Sequence, residues 1–161
     1  MDRMWAPWRK TYIRPSRPEP KGCLFCRLPA EKKDKKNYIL KRTPLNFAIL
    51  NLYPYNNGHL MIVPNRHVAA PAALSAEEKI DWLNLADEMM AALKTTIKPH
   101  GFNMGINLGR IAGAGVPGHV HLHIVPRWKG DVNFMPVTAS AKIISESLDS
   151  VYASLAGVLK K

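Results

Sequence analysis

The sequence predicts an α+β fold, an antiparallel sheet of about five strands with helices packed on it. Three observations carry that prediction. Short apolar runs with strand character fall in two hairpin-like groups, one before residue 65 and one after residue 100. One long segment between the groups has apolar residues at helical spacing, and a second such stripe lies near the end of the chain. Strands grouped apart from helices favour antiparallel pairing.

The elements follow in chain order. Residues 1–36 read as a basic arm and loop, extended by Pro7, Pro15, Pro18, Pro20 and Pro29. Trp5, Trp8 and Tyr12 are costly to leave in water, so the arm is expected to pack on the core. Lys32-Lys33-Asp34-Lys35-Lys36 reads as a solvated loop. Tyr38–Leu40 and Asn46–Leu52 read as strands, and the dense punctuation of Pro54–Gly58 marks a turn. His59–Val63 is the returning strand, ended by Pro64, so the pair forms a hairpin. Ser75 and Glu78 form a capping box that opens a helix. Trp82, Ala86, Met89, Met90, Leu93 and Ile97 give its buried stripe, and Pro99 stops it. Phe102–Leu108 alternates apolar and polar residues as a half-buried strand does. Gly109–Gly118 is a loop, and His119–Val125 the last strand. From Thr138, the spacing of Ile144, Leu148, Val151, Leu155 and Leu159 predicts an amphipathic helix. The expected organisation is one domain: an arm over 1–36, a core over 37–137 and a helical tail over 138–161.

Composition narrows the function classes. The 161 residues are 47% hydrophobic, enough for a core without disulfide staples. No apolar run approaches the roughly 18 residues that cross a bilayer. The first residues lack the apolar stretch of a secretory signal, so a cytoplasmic location is expected. The net charge of +11 attracts anions. No long basic helix interleaved with aromatics is present, so nucleic acid is an unlikely partner and polyphosphate metabolites fit the field as well.

Residues i, i+2 and i+4 of a strand share a face. His119, His121 and His123 therefore line one face, with Val120, Leu122 and Ile124 on the other. Neighbouring imidazoles on such a strand lie about 6.5–7 Å apart. That spacing suits a shared metal ion or a shared phosphate. Glycine-rich backbone at Gly113–Val116 and the amide of Asn107 favour the phosphate, because no carboxylate accompanies the histidines. Neutral imidazole is a nucleophile toward phosphorus, and the phosphoimidazolium formed is displaced by a second acceptor. Cys23 and Cys26 have the spacing of half a structural zinc site, with redox pairing or two buried thiols as the other readings. His100, after Pro99 at a helix end, reads as an exposed or capping histidine.

His119-Val120-His121-Leu122-His123-Ile124-Val125 resembles the signature of the histidine-triad superfamily. Asn51, Gly58–Pro64, and Gly101-Phe102-Asn103 through Asn107-Leu108-Gly109 also resemble it, in the same order, over roughly residues 23–128. Within the superfamily, Trp5–Arg9, Cys23–Cys26 and Val125–Trp128 with Gly130–Phe134 are most similar to the bacterial diadenosine tetraphosphate phosphorylase type. The resemblance implies a dimer whose sheet continues across both protomers. It implies His121 as the nucleophile forming a nucleotidyl-enzyme, with His123 on the reacting phosphate and His119 completing the triad. It implies Asn51 at the ribose, and Asn107 with the backbone of Gly115 and Val116 at the phosphate. It implies a structural zinc on Cys23, Cys26, His67 and His119. Many relatives carry Gln or Ser in the loop that here reads Gly113–Gly118, so help for the leaving group is missing. Arg127, beyond the strand, and Arg110 are the candidate donors to a phosphate acceptor.

The leading expectation is a nucleotidyl transferase acting on dinucleoside polyphosphates, with inorganic phosphate as acceptor and ADP and ATP as products. The alternative acceptor is water, as in a hydrolase or phosphoramidase. A nucleotide-binding module without turnover and a zinc hydrolase using the histidine strand are the competing classes.

Overall fold

The computed structural model describes residues 22–131 and 144–159. The arm aromatics Trp5, Trp8 and Tyr12, and residues 132–143, lie outside that range. Five strands form one antiparallel sheet: β1 (Ile39–Arg42), β2 (Asn46–Leu50), β3 (Leu60–Pro64), β4 (Gly101–Gly105) and β5 (Leu122–Arg127). Their spatial order is β1-β2-β3-β5-β4. Among the described residues, three α-helices accompany them: α1 (Leu24–Ala30), α2 (Ala76–Thr96) and α3 (Leu148–Leu159). The expected fold class is the one observed.

The two faces of the sheet have different fates. Ala48 and Leu50 of β2, Leu60 and Ile62 of β3, and Leu122 and Ile124 of β5 point to one face. There they meet Trp82, Leu85, Met89 and Leu93 of α2 and Val151 and Leu155 of α3. Trp82 also donates its indole N–H to the Ile62 carbonyl at 2.9 Å, which satisfies its one polar atom inside the core. Phe47, Ile49, Met61 and Val63 point to the other face, where Phe25 of α1 covers them. β2 and β3 are thus buried on both faces.

The capping box is present: the Ser75 hydroxyl accepts the Glu78 N–H, and the Glu78 carboxylate accepts the Ser75 N–H. The hairpin is present too, with Phe47 opposite Val63 and Ile49 opposite Met61. Several boundaries move, each for a local reason. β2 ends at Leu50, not Leu52, because the Asn51 side chain captures the Tyr53 N–H at 2.9 Å and turns the chain. β1 starts at Ile39, because Tyr38 has a φ of 56°, which no strand accommodates. β4 stops at Gly105, opposite His123, where its only neighbour's ladder runs out. β5 begins at Leu122 rather than His119, since the Val120 N–H leaves the sheet for the Val68 carbonyl at 2.7 Å.

Residues 22–36 are not wholly extended. Leu24–Ala30 forms a helix of two turns, with Pro29 in its last turn, where a proline need not break helical hydrogen bonding upstream. The four lysines of the following run are exposed, as expected. The tail helix starts at Leu148; Ile144 to Ser147 precede it, and Thr138–Ile143 fall outside the described residues.

Candidate active site

Strand parity decides which histidines meet. His119, His121 and His123 face away from α2 and are 0%, 4% and 8% exposed. Phe25 lies against His119 at 5.6 Å and against His121 at 5.0 Å between ring centroids, so α1 walls this end of the site. The rings of His121 and His123 stand 4.8 Å apart, edge to face. That is closer than ideal strand spacing gives, and His121 lies just before the regular ladder.

His121 Nδ1 sits 2.9 Å from the carbonyl oxygen of His119. A carbonyl only accepts, so Nδ1 carries the proton and Nε2 keeps a bare lone pair. Burial lowers the His121 pKa, which keeps the ring neutral at neutral pH. A neutral imidazole with its lone pair open is the form that attacks an electrophile. His123 is pushed down to about 4 by burial and by the neighbouring His121 charge. Its Nε2 is buried and has no hydrogen-bond partner among the described residues.

Behind His123 stands a residue to which the sequence reading assigned no role. His59, 1% exposed, has Nε2 3.0 Å from His123 Nδ1. Its own Nδ1 accepts the Tyr55 N–H at 3.0 Å and lies 3.3 Å from Asn51 Nδ2. The Tyr55 ring stacks on His123 with centroids 5.8 Å apart and 29° between planes. The signal was available: His59 shares parity with Met61, and Met61 pairs with His123 across β3 and β5.

His119 belongs to a different constellation. Its Nε2 donates to the Pro64 carbonyl at 2.8 Å, so its Nδ1 lone pair faces outward. Cys23 Sγ and Cys26 Sγ lie 3.2 and 3.6 Å from that Nδ1, and His67 Nδ1 lies 3.5 Å from Cys26 Sγ. The four ligand atoms are within 4.8 Å of one another. Two cysteine sulfurs and two imidazoles are a zinc donor set, and the contacts of 3.2–3.6 Å are close to the edges of a tetrahedron around such an ion. The three triad rings do not converge on one point: His119 faces thiols, His121 a carbonyl, His123 another histidine. That divergence gives no support to the competing reading of a zinc hydrolase built on the histidine strand.

The remaining candidates divide. Asn51 lies at the end of β2 beside His59, with its Oδ1 on the Tyr53 N–H. Asn107 is half-buried just past β4, and its side chain has no hydrogen-bond partner among the described residues. Gly115 is exposed and Val116 half-buried, in a loop folded by Gly113 N–H to Arg110 O and Ala114 N–H to Gly109 O. Arg110 is exposed on that loop. Arg127 is engaged locally. Its Nε and Nη2 are held by Asp131 at 2.6 and 2.9 Å, and its Nη1 by Asn103 at 2.7 Å. It pins the turn after β5 while its side chain stays 43% exposed. His100 is exposed and accepts the Lys129 N–H at 2.9 Å, so it ties the start of β4 to the end of β5.

Residues 32–130 match the model of the HIT domain family. The AP-4-A phosphorylase of Mycobacterium tuberculosis is 36% identical over 155 residues, 92% of this chain and 79% of its own length. An adenosine 5'-monophosphoramidase of Schizosaccharomyces pombe is 36% identical over 66% of this chain and 74% of its own. Among solved structures, a zinc-bound histidine triad family protein from Mycobacterium smegmatis superposes with a TM-score of 0.69. It is 21% identical and covers 86% of this chain and 94% of that one. The family match over residues 32–130 and the 36% identity over 92% of the chain, on a sheet with its three histidines on one face, make the chain a member of the histidine-triad, or HIT domain, family.

Proposed function

We propose that the protein cleaves dinucleoside polyphosphates by nucleotidyl transfer through His121, with inorganic phosphate as acceptor. The observation that carries the reading is the Nδ1–H bond of His121 to the His119 carbonyl, which leaves Nε2 free to attack. Attack on the α-phosphorus of diadenosine tetraphosphate forms an N–P bond and breaks the bridging P–O bond, releasing ATP. Phosphate oxygen then attacks the same phosphorus, giving ADP and restoring the imidazole. His123 contacts the phosphate through its buried Nε2, Asn51 takes the ribose, and Asn107 with the N–H groups of Gly115 and Val116 takes phosphate oxygens. Identity to the AP-4-A phosphorylase over nearly the whole chain supports phosphate as acceptor. Likeness to the phosphoramidase supports water as a second reading. Chromatography of the products from diadenosine tetraphosphate decides: ADP with ATP at millimolar phosphate is expected, and AMP with ATP as the main products would make the protein a hydrolase.

Zinc held by Cys23, Cys26, His67 and His119 would supply a structural tie between α1 and the segment with His121 that leads into β5. The same reading includes a dimer through the edge of β4, where Met104 is 43% exposed, and Leu108, just past the strand, is 53% exposed. Among the described residues, no helix is long and apolar enough to cross a membrane.

A further inference from the structure

We propose that Asn51, besides its ribose contact, sets the direction of a hydrogen-bond chain ending at His123. The proposal rests on the nucleotidyl-transfer reading for its purpose, and on the substrate-free geometry for its content. The chain can be read one bond at a time. The Tyr53 N–H donates to Asn51 Oδ1 at 2.9 Å, which fixes the amide so that its NH2 group faces His59. His59 Nδ1 therefore meets two donors, the Asn51 amide at 3.3 Å and the Tyr55 N–H at 3.0 Å. A nitrogen facing two N–H groups holds a lone pair, so the His59 proton is on Nε2. That proton is donated to His123 Nδ1 at 3.0 Å. His123 Nδ1 is then the acceptor, and its own proton is on Nε2, the buried atom that has no partner among the described residues.

The consequence is directional. His121 presents a lone pair and His123, with its ring 4.8 Å away, presents an N–H. Two adjacent imidazoles of one sequence type are set to opposite tautomers by different neighbours. The His123 N–H donates to an oxygen of the phosphate under attack, which stabilises charge developing there. The Tyr55 ring, 4.6 Å from His59 and stacked on His123, covers the chain and limits exchange with water. An aspartate at position 51 would still accept the Tyr53 N–H but would offer His59 an acceptor instead of a donor, drawing a proton onto Nδ1.

Long-range proton–nitrogen correlation of the imidazoles in the full, 15N-labelled chain, without substrate, tests this. Nε2–H with bare Nδ1 is expected for both His59 and His123; a proton on His123 Nδ1 would overturn the proposal. Asn51→Asp should protonate His59 Nδ1 and lower kcat on diadenosine tetraphosphate by roughly tenfold or more, with a smaller change in KM. An unchanged His59 nitrogen signal, or an unchanged kcat, counts against it. His59→Gln can still accept from Tyr55 and donate to His123, whereas His59→Leu can do neither. The glutamine variant should retain clearly more turnover than the leucine variant, and equal losses would reject the chain. Failure to trap a nucleotidyl adduct on His121 would reject the proposed reaction while leaving the tautomer spectra to stand or fall alone.

Discussion

His121 and His123 show how much one neighbouring atom decides. Both are buried imidazoles on one face, yet a carbonyl fixes the proton of the first and a histidine that of the second. His121→Ala should abolish turnover while nucleotide binding persists; mass spectrometry of the quenched wild type should show the nucleotidyl group on His121. A mutant with near wild-type turnover would reject the assignment. His123 also makes a prediction about stability. Its folded pKa of about 4 lies below the usual 6.5, so between those values the unfolded chain binds more protons. Stability therefore rises with pH through this window and is lost as pH falls from 6.5 toward 4, by up to about 3 kcal/mol from this group. His121, shifted the same way, adds to the slope. Urea midpoints measured from pH 7.5 to 4.5 should fall, and fall less steeply in His123→Asn.

At the scale of elements, the helix cap and the hairpin turn are the points of leverage. The Glu78 carboxyl is held down at about 2, first by the Arg66 guanidinium and then by the Ser75 N–H. Ser75→Ala removes the acceptor for the Glu78 N–H and should cost about 1 kcal/mol in urea denaturation. Gly58, with φ of 69°, leads directly into His59. A Cβ there would stand 2.6 Å from Ile97 Cδ1 and 3.0 Å from Leu93 Cδ2 of the helix beneath. Gly58→Ala should cost roughly 1–3 kcal/mol and disturb the His59–His123 bond as well. The cysteine–histidine cluster brings α1 against the residues just past β3 and just before β5. Purified protein should carry one zinc per chain; chelation should lower Tm and expose both thiols to titration. Metal-free protein with unchanged Tm would refute the tie.

For the whole molecule, charge and the open sheet edge matter. Asp34 is bound to Arg42 and Glu31 to Arg27, so the nearby acids are matched to arginines while Lys32, Lys33, Lys35 and Lys36 remain exposed. A field of that sign draws in polyphosphates, and kcat/KM should fall as ionic strength rises, with kcat itself little changed. A salt-independent kcat/KM would show that steering has no part in capture. β4 occupies one end of the strand order, with Met104 exposed on it and Leu108 exposed just beyond it. Sedimentation should find a dimer, and Met104→Lys should shift it toward monomer; a monomeric wild type would remove the proposed continuous sheet.

The sequence by itself determined the periodic and local features. Alternation placed Val120, Leu122 and Ile124 in the core and the three histidines opposite, because strand parity is a property of the backbone alone. The Ser75–Glu78 cap was legible for the same reason, since its partners are three residues apart. Only the tertiary structure decided what each histidine faces. The Pro64 carbonyl that turns His119 toward Cys23 is 55 positions away in the chain, and His59 reaches His123 across 64. It also decided how Arg127 is held: strand pairing sets Asn103 within reach of a guanidinium already bound by Asp131. Hydrogen bonds of that kind depend on which strands are neighbours, and that is settled when the whole sheet buries its apolar face, not by any short stretch of sequence.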